Sequence, residues 1–129
     1  MAVAPAVQKK WGEEFWLVNN ELYCCKILRI FPGGHSSLHY HRQKDETFIV
    51  QKGSCCLTIG DNASVTPVRI LQAWDVVRIY PGSSHQFWVP GDLEECIVLE
   101  VSTHHDEEDV VRLSESWAEG GNMRQKGEI

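Results

Sequence analysis

Nine short runs of β-branched and aromatic residues, separated by turns rich in glycine and proline, constrain the fold of this chain more than any other feature. In chain order they read FWLVN, YCCKILRIF, SLHYH, ETFIVQK, CCLTIG, VRIL, DVVRIY, HQFWV and CIVLEVS. Turns such as PGG, KGS and PGSS end strands sharply, because proline fixes φ and glycine tolerates positive φ. Many short strands with regular turns predict an all-β fold, here a small antiparallel β-barrel with little helix. The one helical candidate, HDEEDVVRLSESW, would supply a turn or two.

The chain of 129 residues has about the length of one domain, enough to bury a single hydrophobic core. We assign residues 11–113 to the barrel. The polar segments on either side, residues 1–10 and 114–129, are expected to form a flexible N-terminus and a polar C-terminal tail.

Charge and hydropathy disfavour several kinds of partner. The formal net charge of −6 makes nucleic acid an unexpected partner. No run approaches the roughly 20 apolar residues that cross a bilayer, so no membrane partner is expected. The opening MAVAPAVQKKWG lacks the continuous apolar stretch of a secretory signal, and we therefore expect a cytoplasmic location.

Five cysteines, an odd number, include two adjacent pairs, Cys24 with Cys25 and Cys55 with Cys56. Neighbours on a strand point to opposite faces, so each pair offers one inward and one outward sulfur. The sequence contains no CxxC motif, which argues against a zinc ribbon or a dithiol redox site. We interpret the inward thiols as small core residues in a reducing compartment.

Four side chains have the types and the spacing of a metal site. His39 and His41 are two residues apart on a predicted strand and therefore share a face. Glu46 follows the bend RQKD, and a hairpin pairing would bring His85 alongside. Three imidazoles and a carboxylate suit Mn²⁺, Fe²⁺, Co²⁺, Ni²⁺ or Zn²⁺ and leave coordination positions for a substrate's oxygens. The remaining histidines lack this pattern and are interpreted as solvated or as supporting neighbours of the site: His35, His104 and His105.

These residues resemble the first sequence motif of the cupins, G-x5-HxH-x4-E-x6-G. The chain meets every spacing of that motif with Gly33, His39, His41, Glu46 and Gly53. The resemblance spans about residues 11–112. It implies a double-stranded β-helix, or jelly roll, that holds the metal inside and is usually a homodimer.

The second cupin motif, G-x5-P-x-G-x2-H-x3-N, is matched in part. Gly82 and His85 fit it, and Asp75 fits an aspartate that commonly follows the first glycine of the motif. Three other residues stand where the motif has glycine, proline and asparagine: Trp74, Tyr80 and Val89. Because the histidine ligand of this motif, His85, is kept, these departures affect the geometry of the loop rather than the metal ligands.

Two groups of cupin enzymes resemble the chain more widely. KKWGEEFWLVNNELYCCKILRIFPG is similar to the opening strands of type II phosphomannose isomerase domains, and LEVSTHHDEEDVVRL is similar to their close. The cupin D-lyxose isomerases share YCxK before the metal strand and a late EVS before an acidic segment that ends in arginine. Both resemblances imply an aldose–ketose isomerase that acts on a monosaccharide such as lyxose or mannose, or on its phosphate. The lyxose isomerase resemblance carries over to seven residues: Lys26, His39, His41, Glu46, His85, Glu100 and Arg112.

The chemistry of such a reaction assigns roles to two of these residues. Isomerisation moves a proton between C1 and C2 through an enediol, which a divalent ion stabilises as a Lewis acid. Glu100, after the apolar run CIVL, is the candidate carboxylate for the proton; on sequence alone it is either catalytic or exposed outside the barrel. Lys26 either points inward to polarise a sugar oxygen or covers apolar surface with its head in water.

Three further residues are candidates for substrate binding. Arg112 either anchors a hydroxyl or phosphate or pairs with the acids of DEED. Lys44 is interpreted as a residue of the rim of the site. Trp88 is a candidate for sugar stacking, together with Phe48 and Trp74, although aromatic residues on strands are often part of the core.

The leading hypothesis is therefore a metal-dependent sugar isomerase with Mn²⁺ as the preferred ion and a small-molecule sugar or sugar phosphate as substrate. A carbohydrate-binding cupin without catalysis would keep the pocket but would need no proton carrier. An Fe(II)-dependent dioxygenase could use the same ligands, but Lys26, Glu100 and Arg112 suit a hydroxylated substrate better than an aromatic one.

Overall fold

The computed structural model describes residues 4–61 and 68–120, apart from the side chain of Asp61. The first three residues of the predicted N-terminal segment and residues 121–129 of the predicted tail lie outside the described residues. Within the described part, the strands are β1 (Ala6–Lys9), β2 (Gly12–Asn19), β3 (Cys24–Ile30), β4 (Gly34–His35), β5 (His39–His41), β6 (Glu46–Lys52), β7 (Ser54–Asp61), β8 (Arg69–Gln72), β9 (Val76–Ile79), β10 (Ser83–Trp88), β11 (Cys96–Ser102), β12 (Val110–Arg112) and β13 (Trp117–Ala118). All nine predicted runs overlap strands, which confirms the all-β prediction.

The segments that flank the predicted barrel also take part in the sheets. β1 forms an antiparallel pair with β2, although it lies in the segment expected to be flexible. β13 pairs with β4 through Trp117 opposite His35. The helical candidate forms one turn of 3-10 helix, Glu107–Asp109, and then continues as β12. The described residues include no helix that is long and apolar enough to span a membrane.

Two antiparallel sheets make up the barrel. The six-stranded sheet has the order β1-β2-β3-β11-β6-β9. The seven-stranded sheet has the order β12-β5-β10-β4-β13, with β7 and β8 joined to it through β10. Strands that are far apart in sequence, such as β3 and β11, are therefore neighbours in space, which is what a jelly roll requires.

Alternation along the strands sends one set of side chains into the space between the sheets. Its apolar part is a single cluster formed mainly by Trp11, Leu28, Ile30, Phe48, Val50, Leu57, Ile79, Phe87, Val89 and Val98. Three cysteines, Cys24, Cys55 and Cys96, are also buried there, which confirms that the inward thiols are small core residues. All five cysteines are free thiols. The other two, Cys25 and Cys56, are only half-buried.

The inward face changes from apolar to polar along β3 and β11. Leu28 stands opposite Val98, and the next inward pair along the same strands is Lys26 opposite Glu100. Both members of the second pair are buried. One end of the barrel interior is therefore a hydrophobic core, and the other end collects charged groups that need partners.

Candidate metal centre

Two neighbouring strands of the seven-stranded sheet bring three imidazoles together. His39 and His41 project from the same face of β5, and His85 on β10 stands directly opposite His39. One nitrogen of each ring lies within 4.8 Å of the others. The three histidines of the predicted metal site therefore meet in one place between the sheets.

Glu46 reaches the same place from the other sheet, as the first residue of β6. Its Oε2 lies 3.2 Å from Nε2 of His85, and its Oε1 lies 3.6 Å from Nε2 of His41. Adjacent ligand atoms that are each about 2.1 Å from one ion stand roughly 3 to 3.5 Å apart. These two distances fit a cation shared with His41 and His85, while the group of donor atoms that all lie within 4.8 Å of one another in the described residues consists of the three histidines.

Hydrogen bonds orient the rings of His39 and His85, and burial keeps His39 neutral, so that both rings can bind a metal. Nδ1 of His39 lies 3.0 Å from the carbonyl oxygen of Ser37, and Nδ1 of His85 lies 3.2 Å from that of Ser83. An N–H donated to a carbonyl at Nδ1 leaves the lone pair on Nε2. Burial and the neighbouring imidazoles lower the pKa of His39 to about 3, so this ring is neutral at neutral pH.

Unsatisfied polar atoms provide a test of whether a cation fits here. In the described part of the chain, Nδ1 of His41 and Oε2 of Glu46 are buried without a hydrogen-bond partner. Burial lowers the pKa of His41 to about 4. The positive charge of Lys44 also lowers this pKa, whereas the negative charge of Glu46 raises it. An ionised carboxylate whose two oxygens face Nε2 of His85 and Nε2 of His41 is stabilised by a divalent ion held between them. The donor set therefore fits the predicted metal.

Lys44 is buried beside this cluster, and its assignment to the rim of the site is wrong. Its side chain is 2% exposed, and its Nζ lies 2.7 Å from Oε2 of Glu100 and 3.4 Å from Oε1 of Glu46. Burial lowers the pKa of Lys44, but attraction by the two carboxylates outweighs it and leaves this pKa above its usual value. The loop is turned inward by Asp109, whose carboxylate accepts the backbone N–H groups of residues 42–44.

Glu100 and Lys26 both point into the barrel. The structure therefore excludes a Glu100 exposed outside the barrel and a Lys26 with its head in water. Glu100 is 4% exposed, and its Oε2 accepts a hydrogen bond of 2.9 Å from Oγ of Ser102. Nζ of Lys26 lies 3.8 Å from the centre of the Trp16 ring and 3.9 Å from Oε1 of Glu14. Burial lowers the pKa of Lys26 even though Glu100 and Glu14 oppose the shift.

The substrate-binding candidates lie in different places. Arg112 lines the cavity with a side chain that is 46% exposed, and its Nη2 lies 3.5 Å from Oε2 of Glu107. Trp88 lies on the outer face of β10, where its ring stacks parallel to that of His35 at 5.9 Å. Because Trp88 is three residues from His85, strand alternation directs it away from the cavity. Phe48 belongs to the core, and Trp74 is highly exposed.

His105 belongs to the site, although nothing in its sequence spacing singled it out. Its Nδ1 lies 2.8 Å from Nζ of Lys44, and its Nε2 lies 2.8 Å from Oε1 of Glu107. The hydrogen bond from His105 lowers the pKa of Glu107 to about 2. These contacts link the buried charges to the surface along one wall of a cavity of about 130 Å³.

Comparison with known proteins agrees with this geometry. The cupin domain family Cupin_2 matches residues 26–102. Mannose-1-phosphate guanylyltransferase of Sinorhizobium fredii (strain NBRC 101917 / NGR234) is 28% identical over 125 residues, which are 95% of this chain and 23% of that protein. The chain thus spans less than a quarter of the length of this relative.

Solved structures share the fold at low sequence identity. The capsular polysaccharide assembling protein CapF from Staphylococcus aureus aligns with a TM-score of 0.72 and 17% identity, over 86% of this chain and 34% of that chain. Oxalate decarboxylase from Bacillus subtilis aligns with a TM-score of 0.74 and 20% identity, over 85% of this chain and 30% of that chain. With the jelly-roll fold, the cluster of histidines and a family match over more than half of its length, the chain belongs to the cupin domain family.

Proposed function

We propose that the protein is a metal-dependent aldose–ketose isomerase that acts on a monosaccharide such as lyxose or mannose, or on its phosphate. The observation that carries this proposal is the buried carboxylate of Glu100, which lines the same cavity as His39, His41 and His85. A site that only binds sugar has no need of a buried carboxylate held beside the metal ligands. The name of the relative from Sinorhizobium fredii refers to a mannose phosphate, which supports a sugar as ligand.

The metal would be held by His39, His41, Glu46 and His85. When bound, a divalent ion supplies Lewis acidity to the oxygens on C1 and C2 of the sugar. Mn²⁺ is the preferred ion, and Fe²⁺, Co²⁺, Ni²⁺ and Zn²⁺ suit the same donors. Oxalate decarboxylase from Bacillus subtilis, which shares the fold, has Mn(II) centres.

Glu100 is assigned to proton transfer. Lys44 and Ser102 both contact its Oε2, at 2.7 and 2.9 Å, so Oε1 is the oxygen assigned to the substrate. In this mechanism Oε1 takes the proton from C2 of an aldose, the hydroxyl proton moves from the oxygen on C2 to the oxygen on C1 in the resulting enediolate, and Oε1 then gives its proton to C1. The two contacts hold the carboxylate in one orientation, which favours transfer between adjacent carbons on one face of the sugar.

Lys26 and Arg112 are assigned to binding of the substrate. Lys26 is fixed over the Trp16 ring and stands opposite Glu100 in the sheet, where its ammonium can donate a hydrogen bond to a sugar oxygen. Arg112 stands opposite His39 in the pairing of β12 with β5, and its partly exposed side chain lines the cavity. This position suits the hydroxyl or phosphate that is farthest from C1.

The test combines a screen of substrates with a change at Glu100. Mn²⁺-loaded protein is incubated with D-lyxose, D-mannose and mannose 6-phosphate, and the isomers are separated by chromatography. Glu100→Gln should lower kcat by about 10³-fold or more, because the amide cannot carry the proton. Its metal content and its affinity for sugar should stay near those of the wild type. Glu94→Gln, which changes an exposed glutamate on the loop before β11, is the matched control and should keep full activity.

The other outcomes separate the alternative functions. Sugar binding without formation of an isomer would identify a carbohydrate-binding cupin. Oxygen uptake by the Fe²⁺-loaded protein with an enediol substrate would identify a dioxygenase. Turnover that survives Glu100→Gln would exclude Glu100 as the proton carrier.

A further inference from the structure

His105 contacts the surroundings of both buried lysines at the polar end of the barrel. Its Nδ1 lies 2.8 Å from Nζ of Lys44. Its ring also packs edge to face against the ring of Trp16, with 5.2 Å between the ring centres, and the ammonium of Lys26 lies over the same Trp16 ring. His105 is buried and lines the cavity that holds the metal ligands. One imidazole therefore contacts Lys44 directly and supports Lys26 through Trp16.

The two hydrogen bonds of this imidazole determine its tautomer. A lysine ammonium donates and cannot accept, so Nδ1 of His105 accepts the hydrogen bond from Lys44. An ionised carboxylate accepts and cannot donate, so Nε2 carries the proton that it donates to Oε1 of Glu107 at 2.8 Å. Both hydrogen bonds form together only in a neutral ring with its proton on Nε2. Glu107 therefore keeps Nδ1 available as an acceptor for Lys44.

The backbone of His105 is held by the last residue of β2, Asn19. The side-chain amide of Asn19 donates to the carbonyl oxygen of His105 at 3.1 Å. The Oδ1 atom of the same amide accepts the N–H of His105 at 2.9 Å. These two bonds resemble the pairing between strands, and they attach the segment after β11 to the six-stranded sheet. Movement of His105 away from Lys44 would therefore break both of them.

The position of Lys44 decides which oxygen of Glu100 is free. Three acceptors lie near Nζ of Lys44 in the described residues: Oε2 of Glu100 at 2.7 Å, Nδ1 of His105 at 2.8 Å and Oε1 of Glu46 at 3.4 Å. Loss of the His105 acceptor would leave a buried N–H unpaired, which is costly for a charged group. The ammonium would then move towards the carboxylates and compete for Oε1 of Glu100, the oxygen assigned to the substrate.

We propose that His105 is a positioning residue for the isomerisation: it fixes the ammonium of Lys44, which in turn holds Glu100 with Oε1 free for the substrate. This role rests on the proposed function. His105 exchanges no proton with the sugar and acts only through Lys44. A displacement of about 1 Å at the reacting groups can slow a reaction about 10²-fold. Loss of the acceptor should therefore affect kcat much more than KM.

Steady-state kinetics of Mn²⁺-loaded variants tests this role. His105→Leu removes the acceptor and should lower kcat by about 10- to 100-fold, with KM within about 3-fold of the wild type. In His105→Asn, Oδ1 takes the place of Nδ1 and can accept from Lys44, so kcat should recover to within about 5-fold of the wild type. His104→Leu changes the exposed histidine next in the chain, and this matched control should keep full activity. Circular dichroism and metal content check the fold of each variant.

The kinetic outcomes separate this role from the proposed function. Full activity of His105→Leu, or an equal loss of kcat in His105→Leu and His105→Asn, would overturn the role of His105 while isomerisation by the wild type stands. A wild type that forms no isomer from any of the three sugars would overturn the proposed function, and the positioning role would be overturned with it.

The tautomer of His105 provides a measurement that does not depend on turnover. ¹⁵N NMR of histidine-labelled, Zn²⁺-loaded protein distinguishes protonated from unprotonated ring nitrogens, and His105→Asn identifies the signals of His105. His105 should carry its proton on Nε2, whereas His39 and His85, which donate to backbone carbonyls, should carry theirs on Nδ1. A His105 ring with a proton on Nδ1 at neutral pH could not accept from Lys44 and would overturn the proposal.

Discussion

Lys44 contacts three other polar side chains at the polar end of the barrel. Its ammonium contacts Glu46 on the metal side, Glu100 on the side of proton transfer and His105 towards the surface. A buried charge costs several kcal/mol unless it is paired, so these partners fix the position of Lys44. The metal ligands and the proposed proton carrier therefore share one counter-charge and form a single network.

The acid stability of the metal-free protein should depend on His39 and His41. Their pKa values fall from 6.5 to about 3 and about 4, mainly through burial, while Lys44, Glu46 and His85 face them. Below pH 6.5 the unfolded chain binds protons at these rings and the folded chain does not, so the free energy of unfolding falls as the pH falls. At about 1.4 kcal/mol for each pH unit and each ring, the loss between pH 7 and 5 is roughly 2–4 kcal/mol.

Urea unfolding of EDTA-treated protein at pH 7, 6 and 5 measures this loss. A variant with both His39→Gln and His41→Gln removes the titrating groups and should give a much flatter dependence on pH. A wild-type stability that does not change over this range would contradict the assignment of neutral, buried rings.

The turn between β8 and β9 holds Trp74 in a conformation that suits glycine. Its φ is 73°, the one positive value outside glycine among the described residues, and its N–H donates to the carbonyl of Val50 at 2.7 Å. Trp74 stands where the second cupin motif has its first glycine. A side chain at this φ costs about 1–2 kcal/mol, which glycine at the same position would avoid.

An alanine variant is usually more stable than a glycine variant at the same position, but at Trp74 we expect the reverse. Both changes remove the same exposed ring, so their difference reports the preference of the backbone. Trp74→Gly should be more stable than Trp74→Ala by about 1 kcal/mol, because only glycine adopts positive φ without strain. Urea denaturation measures the difference, and an alanine variant of equal or greater stability would show that the turn is not strained.

At the scale of the whole molecule, the residues of the candidate metal site come from both sheets. His39, His41 and His85 belong to the seven-stranded sheet, and Glu46 belongs to the six-stranded sheet. The strands that carry them meet only in the folded barrel, so the unfolded chain offers no equivalent site. Binding of a metal should therefore stabilise the barrel as a unit.

Removal of the metal should lower the melting temperature by about 10 °C. An ion present at 100 times its dissociation constant adds about 2.7 kcal/mol to the free energy of unfolding. The melting temperature of a domain of this size shifts by roughly 3–4 °C per kcal/mol. Differential scanning calorimetry of the Mn²⁺-loaded and EDTA-treated protein measures the shift. His39→Ala should melt at the same temperature in both states. A wild type that binds less than about a tenth of an ion per chain, or that melts equally with and without EDTA, would contradict the site.

The strands and the shared face of the histidine pair were predictable because they follow from local rules. The two-residue period of a strand places His39 and His41 on one face, and turns rich in glycine and proline end the strands. The same period directs Trp88 away from His85, so its position on the outside of the seven-stranded sheet could have been read from the spacing alone. The fit to the first cupin motif then located Glu46 without any knowledge of how the strands pair.

The sequence by itself thus determined the all-β architecture, the turns and the shared face of His39 and His41, because each depends on residues that are close together in the chain. Only the tertiary structure decided that Lys44 and His105 are buried and that Glu100 and Lys26 face inward. These features depend on the register between strands that are far apart in the chain, such as the pairing of β3 with β11 that sets Lys26 opposite Glu100. Register is fixed by packing and by the pairing of buried charges, and neither leaves a periodic trace in the sequence.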